Sequence, residues 1–244
     1  MRILISQKAP SKMSAYESIQ TKHGAELVFR PFFRIEPLTS REFREQRINL
    51  PDYTAIVFSS RHAIDAYFTL CEDLRFKVPE TMKYFCTTEL VANYLQKHIV
   101  YRKRKIFFGD GTPSSVVALI GPKHKGEKFL ITKNEGSNST PISSLFDQAG
   151  LDYSVAVMVK SVTEDLHDLN LDGFGLMVLC NPADVKSLFE NFPDFTQGGI
   201  KFISYGRGVV ASMEEAGLSI AVKAPTPETP SVASAVEHYL QSLG

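Results

Sequence analysis

The chain alternates short apolar runs with segments whose apolar residues return every three or four positions. IVFSSRHAIDAYF (residues 56–68) and MVLCNPADVKSLF (residues 177–189) show this pattern twice at equal length. Each opens with strand-like residues, passes through a polar turn and continues with a helical face. Ile64, Tyr67 and Phe68 form that face in the first, and Val185, Leu188 and Phe189 in the second, at i, i+3, i+4. RILISQK from Arg2 lies on KFLITKN from Lys128, KYFCTTELVANYL from Lys83 on KFISYGRGVVASM from Lys201, and TPSSVVALI from Thr112 on TPSVASAVE from Thr229. In chain order the four offsets are 126, 121, 118 and 117, a shrinkage that a few small deletions in the second copy would produce. Four pairs in one order predict a doubled α/β unit.

Local signals agree. Thr140 caps a helix with Pro141 at its first position; Ile142, Leu145, Phe146 and Ala149 make one face, and Gly150 ends it. AIVFSS, KYFCTT, KFLITK, GLMVLC and KFISYG are short apolar runs of the kind buried in parallel sheets. Strands alternating with helices predict an α/β fold of two doubly wound parallel-sheet lobes with a ligand cleft between them. ELVFRPFFRIEPL (residues 26–38) and YSVAVMVKSVTED (residues 153–165) are long extended runs, expected to link the lobes.

Ligands of open parallel sheets bind beyond the carboxyl ends of the strands, where helices begin. That rule nominates Ser59, Ser60, Arg61, Thr87, Thr88, Lys133, Asn134, Asn181, Tyr205, Gly206, Arg207 and Gly208. Helix N-termini offer unpaired N–H groups and partial positive charge, and two sets of them suit a large ligand bearing many carboxylates or phosphates. Ser, Thr and Asn before a helix are also ordinary caps. Arg61 and Arg207 differ, because a cation just inside a helix start is unfavourable without an anion nearby.

Composition narrows the function classes. In 244 residues, 27 basic and 27 acidic side chains balance, which gives no global field for nucleic acid or membrane. The basic run YRKRK (residues 101–105) reads as a solvated strand edge, and the GDG at residues 109–111 as a turn that matches no phosphate-loop pattern. Three scattered cysteines, Cys71, Cys86 and Cys180, fit reduced core thiols, and the scattered histidines show no metal-ligand spacing. The apolar start is too short for a signal peptide, so a cytoplasmic protein is expected.

The doubled pattern, the SSRHAIDAYF and NPADVKSLF turns, the segment YGRGVVASMEEAGL and the closing KAPTPETPSVASAVEHYL together resemble the uroporphyrinogen-III synthase family, over nearly the whole chain. The resemblance implies two α/β lobes joined by a two-stranded linker, 1–36 with 163–244 and 37–162, with linkers near 30–38 and 155–165. It implies a small-molecule substrate, hydroxymethylbilane, a linear tetrapyrrole with eight carboxylates handed over by hydroxymethylbilane synthase. The family cyclises it with inversion of ring D and loss of water, as a monomer, with neither metal nor organic cofactor. This sequence departs from the family pattern at three places. Val159 aligns with a usual tyrosine, Asn181 with a usual serine before proline, and Arg207-Gly208-Val209 with a usual Pro-Thr-Thr. Tyr205 is the residue nominated to supply the proton instead. The alternative expectation is a diverged, noncatalytic two-lobed module that binds or senses an anionic tetrapyrrole.

Overall fold

The computed structural model describes residues 1–136 and 140–243, with Arg207 described by its backbone. The strands are β1 (Arg2–Ile5), β2 (Glu26–Phe29), β3 (Phe33–Pro37), β4 (Ala55–Phe58), β5 (Lys83–Cys86), β6 (Ile106–Phe108), β7 (Lys128–Asn134), β8 (Asp152–Thr163), β9 (Leu176–Leu179), β10 (Lys201–Tyr205) and β11 (Val222–Ala224). The helices are α1 (Ser14–His23), α2 (Ser40–Glu45), α3 (Arg61–Asp73), α4 (Glu89–Tyr94), α5 (Pro113–Ile120), α6 (Thr140–Ala149), α7 (Pro182–Asn191), α8 (Arg207–Glu215) and α9 (Val232–Gln241). The chain divides into two compact units, Met1–Arg34 with Val162–Gly244, and Ile35–Ser161.

In the first unit the strand order is β11-β10-β9-β1-β2, with parallel pairing throughout. Strand β9 explains why both faces must be covered. Its four residues, LMVL, are all fully buried. Alternation sends Leu176 and Val178 toward α1 and α9, where Tyr16, Ile19, Val236 and Leu240 pack, and Met177 and Leu179 toward Val185, Leu188 and Met213 of α7 and α8.

In the second unit the order is β3-β8-β7-β4-β5-β6, and the pairs from β8 to β6 are parallel. Strand β4 repeats the logic of β9. Ile56 and Phe58 face a core with Ile64, Tyr67 and Leu95, while Ala55 and Val57 face Val116, Phe129 and Phe146. The thiols of Cys71 and Cys86 are buried and free, and burial pushes each up to about 12, which leaves them inert near neutral pH.

The α/β class with two parallel-dominated sheets is as expected from the sequence. Two local expectations need correction. The run 26–38 is not continuous: it breaks after Phe29 into β2, in the first sheet, and β3, in the second. Pro31 has no N–H for a ladder, whereas the aligned run keeps its donors and stays one strand of 12 residues. The basic stretch 101–105 is no strand edge: it turns ahead of the edge strand β6, with Lys105 N–H donating to Arg102 O at 2.9 Å. Helix α2 was not foreseen, and it is set by a capping box in which Thr39 and Glu42 bond reciprocally.

Candidate functional site

In the second unit three turns are stitched into one rim. Thr87 N–H donates to Phe58 O at 3.0 Å, Gly109 N–H to Cys86 O at 3.0 Å, and Gly111 N–H to Thr87 O at 2.8 Å. The parallel register forces this, because the ladder of β4, β5 and β6 simply continues past the strand ends. Ser59, Ser60, Arg61, Thr87 and Thr88 are therefore brought together. The loop 109–112, ahead of α5, joins them, although the sequence shows in it only a turn. Asp110 shapes that loop by accepting from Thr112 N–H at 2.9 Å and Thr112 Oγ1 at 2.6 Å. These bonds, with Ser115, hold its carboxyl below the usual range.

The hydroxyls have local duties. Ser60 Oγ accepts from Ala63 N–H at 3.1 Å, and Thr88 Oγ1 from Val91 N–H at 3.3 Å. Each cap consumes a lone pair and leaves the hydroxyl proton and the first-turn N–H groups, such as those of Arg61 and His62, for a ligand. Lys133 and Asn134 lie within β7, at its carboxyl end beside β4, rather than in a free turn. Val159 is buried in β8, and its carbonyl accepts from Glu135 N–H at 2.8 Å.

In the first unit the corresponding ends belong to β1, β9, β10 and β11. Asn181 Oδ1 caps α7 through Ala183 N–H at 3.0 Å. Gly208 lies against that helix start, since a Cβ on it would come 3.3 Å from Pro182 Cγ. Asn181 and the Tyr205–Gly208 turn are thus neighbours; Arg207 begins α8, and its side chain lies outside the described residues. Tyr205 OH donates to Pro230 O at 2.8 Å, which ties the end of β10 to the start of α9.

Beneath Asn181 is a carboxyl that the sequence reading missed. Asp184 is fully buried, and its Oδ2 accepts from Ser6 Oγ at 2.6 Å and from the N–H groups of Cys180 and Asn181 at 2.8 Å each. Burial pushes its pKa up to about 6, against those three donors, which act to lower it.

Gly206 joins β10 to α8 at φ 127°, ψ 146°, a conformation open essentially to glycine alone. A Cβ there would meet Val209 Cγ2 at 3.7 Å and Cys180 O at 4.0 Å, ordinary contacts, so only the backbone opposes a side chain. Gly206→Ala should cost about 1–3 kcal/mol, read as a lower urea midpoint; an unchanged midpoint would show that this turn relaxes freely.

Each unit is an α/β sheet with donor-bearing turns collected along its carboxyl edge, the form of a small-molecule-binding protein of the open-sheet class. The family model described as uroporphyrinogen-III synthase HemD matches residues 14–234, and the chain belongs to that family, one of tetrapyrrole biosynthesis. Among solved structures it is similar to uroporphyrinogen-III synthetase from Helicobacter pylori 26695, at 15% identity over 99% of this chain and 100% of that one, with a TM-score of 0.59. It is also similar to a mutant uroporphyrinogen III synthase from the extremely thermophilic bacterium Thermus thermophilus, at 14% identity over 100% of this chain and 98% of that one, with a TM-score of 0.54. At such identities these likenesses speak for the fold. Comparison with curated proteins finds no match. Among the described residues no helix is long and apolar enough to cross a membrane.

Proposed function

We propose that this chain is a uroporphyrinogen-III synthase, which cyclises hydroxymethylbilane with inversion of ring D and loss of water. The observation that carries the reading is the family match together with donor-bearing turns along the carboxyl edge of both sheets. The substrate is intrinsically reactive, so the protein contributes chiefly by holding one folded-back conformation. Backbone N–H groups at the starts of α3 and α8, the latter with no side-chain cap, together with the hydroxyls of Ser60 and Thr88 and the Asn181 amide, bind carboxylates of the substrate. An acid assists departure of the hydroxyl, and a negative group supports the azafulvenium cation left behind. In this reading the protein works in the cytoplasm as a monomer supplied by hydroxymethylbilane synthase, with no metal or organic cofactor.

A noncatalytic tetrapyrrole-binding module is the second reading. Two observations favour it: Val159 has no proton to give, and the Tyr205 hydroxyl is engaged by Pro230 O. The assay that separates the two generates hydroxymethylbilane in place, oxidises the products and resolves the type I and type III porphyrins. Excess type III over the enzyme-free control supports the synthase; type I alone, with folded protein, supports the module. Tyr205→Phe tests the nominated proton donor in the same assay. With that hydroxyl committed to a backbone carbonyl, an unchanged turnover number is expected, and a fall of about 10²-fold or more would assign the proton to Tyr205.

A further inference from the structure

The second unit contains a cavity of about 190 Å³ between α3, from His62 to Thr69, and the strands β3 and β8. Its apolar walls are Ile35, Pro37, Ala66 and Val159, and two ionisable groups, His62 and Asp65, line it from α3. Sites that bury a whole ligand run to roughly 300–1,000 Å³, so this cavity takes one ring of a larger molecule.

The two groups are prepared differently. Asp65 is anchored: its carboxylate accepts from Tyr94 OH at 2.7 Å and from Lys97 Nζ at 3.2 Å, and stands 2.7 Å from His98 Nε2. The His98 ring is itself stacked on Phe68, with centroids 4.6 Å apart and planes at 6°. Burial acts to raise the Asp65 carboxyl, but the Tyr94, His98 and Lys97 donors outweigh it and hold it below the usual carboxylate range. An ionised carboxylate, its charge shared with the Lys97 ammonium, therefore lines the cavity. His62 is exposed, and its imidazole has no hydrogen-bond partner among the described residues. It sits in the first turn of α3, beside Arg61, whose guanidinium lies over the Tyr94 ring at 5.6 Å. The free imidazole is thus adjacent to the helix start assigned above to a substrate carboxylate. Histidine is also the side chain type that gains and loses protons around neutral pH.

We infer that this cavity holds the pyrrole ring bearing the hydroxymethyl group, with His62 as the acid and Asp65 as the counter-charge. The inference rests on the synthase reading. The imidazolium of His62 gives its proton to the hydroxyl oxygen, the C–O bond breaks with both electrons going to oxygen, and water leaves. The pyrrole nitrogen lone pair fills the deficit, which leaves an azafulvenium cation facing the Asp65 carboxylate. When the ring carbon that closes the macrocycle later loses its proton, that proton restores the imidazolium, so the protein ends unchanged. The sum is substrate to macrocycle plus water.

The test uses the full chain with hydroxymethylbilane generated in place, and compares wild type, His62→Gln, and His62→Ala with and without added imidazole. His62 is exposed, so both variants should unfold as wild type does. Expected for His62→Gln is a fall in kcat for type III formation of about 10²–10⁴-fold, with KM changed by less than threefold. Imidazole should restore a measurable part of the His62→Ala rate. Wild-type kcat in His62→Gln overturns the assignment, as does a loss carried by KM with no imidazole rescue, which would mark a binding residue. Type I alone from the wild type overturns it as well, and the failing wild-type control identifies the synthase reading as the one that fell.

Discussion

Asp184→Asn should remove a pH dependence of stability that runs opposite to ordinary acid unfolding. The folded Asp184 has a pKa of about 6 against an ordinary aspartate value of 3.8. Below the lower value both folded and unfolded states hold the proton, and nothing is gained or lost. Between the two values the folded state keeps a proton that the unfolded chain has released, so stability falls as pH rises. Above pH 6 the penalty is complete, and the difference in pKa corresponds to about 3 kcal/mol. Carboxyls held low act the other way and at lower pH; Glu42, held down to about 2 by Lys160 and Thr39, loses its stabilising contribution only on strong acidification. In the variant, the amide oxygen takes the place of Oδ2 and accepts from Ser6, Cys180 and Asn181. Its NH₂ takes the place of Oδ1, which has no partner among the described residues. An unpaired buried donor costs about 1–3 kcal/mol, so at pH 7 the variant should be no less stable than wild type, while near pH 4 it should be less stable. Urea unfolding at pH 4, 5, 6 and 7 measures this. Parallel pH profiles for the two proteins would show that Asp184 is ionised in the fold across the whole range.

The α/β class was legible because each buried strand is a run of four or five apolar residues followed by a polar turn and a helical face, as in Ala55–Phe58 and Arg61–Asp73. Caps were legible for the same local reason: Ser60, Thr88 and Asn181 each bond to an N–H within three residues. Helix α2 was not, since six residues burying only Phe43 give no period to detect. Its one signal was the Thr39–Glu42 spacing. Asp184 was hidden for a different reason. An acidic residue in the first turn of a helix reads as a solvated partner for the helix dipole. What makes it a titrating group is its full burial in the packed fold, beside Ser6, 178 residues away in sequence and brought to it by the pairing of β1 with β9. The cavity beside His62 likewise needs β3 and β8, which no periodicity on α3 could supply. Local patterns thus identify what begins each turn, and long-range packing decides what chemistry stands beside it.

Phe58→Ala should cost more stability than any substitution proposed above. Phe58 ends β4 with no exposed surface, edge-on to Tyr67 at 5.7 Å and stacked with Tyr84 at 6.3 Å. Removing a fully buried aromatic ring costs about 3–5 kcal/mol, against a typical total of about 5–15 kcal/mol for a folded domain. Two tyrosine hydroxyls give the variant a second readout. Burial holds Tyr67 and Tyr84 well above the ordinary tyrosine range, and a void beside their rings should admit water and bring both titrations down. The functional consequence follows from chain connectivity. Phe58 O receives Thr87 N–H, and Ser59, Ser60 and Arg61 come next in sequence, so loosening this ring also loosens the first two turns of the donor rim. Phe58→Leu refills most of the space and should recover most of the stability. Under the synthase reading, Phe58→Ala held at a temperature where it remains folded should raise KM for hydroxymethylbilane. A loss below about 1 kcal/mol on Phe58→Ala, far under the range for a buried aromatic, would mean that the core closes over the gap and that the rim does not depend on this ring.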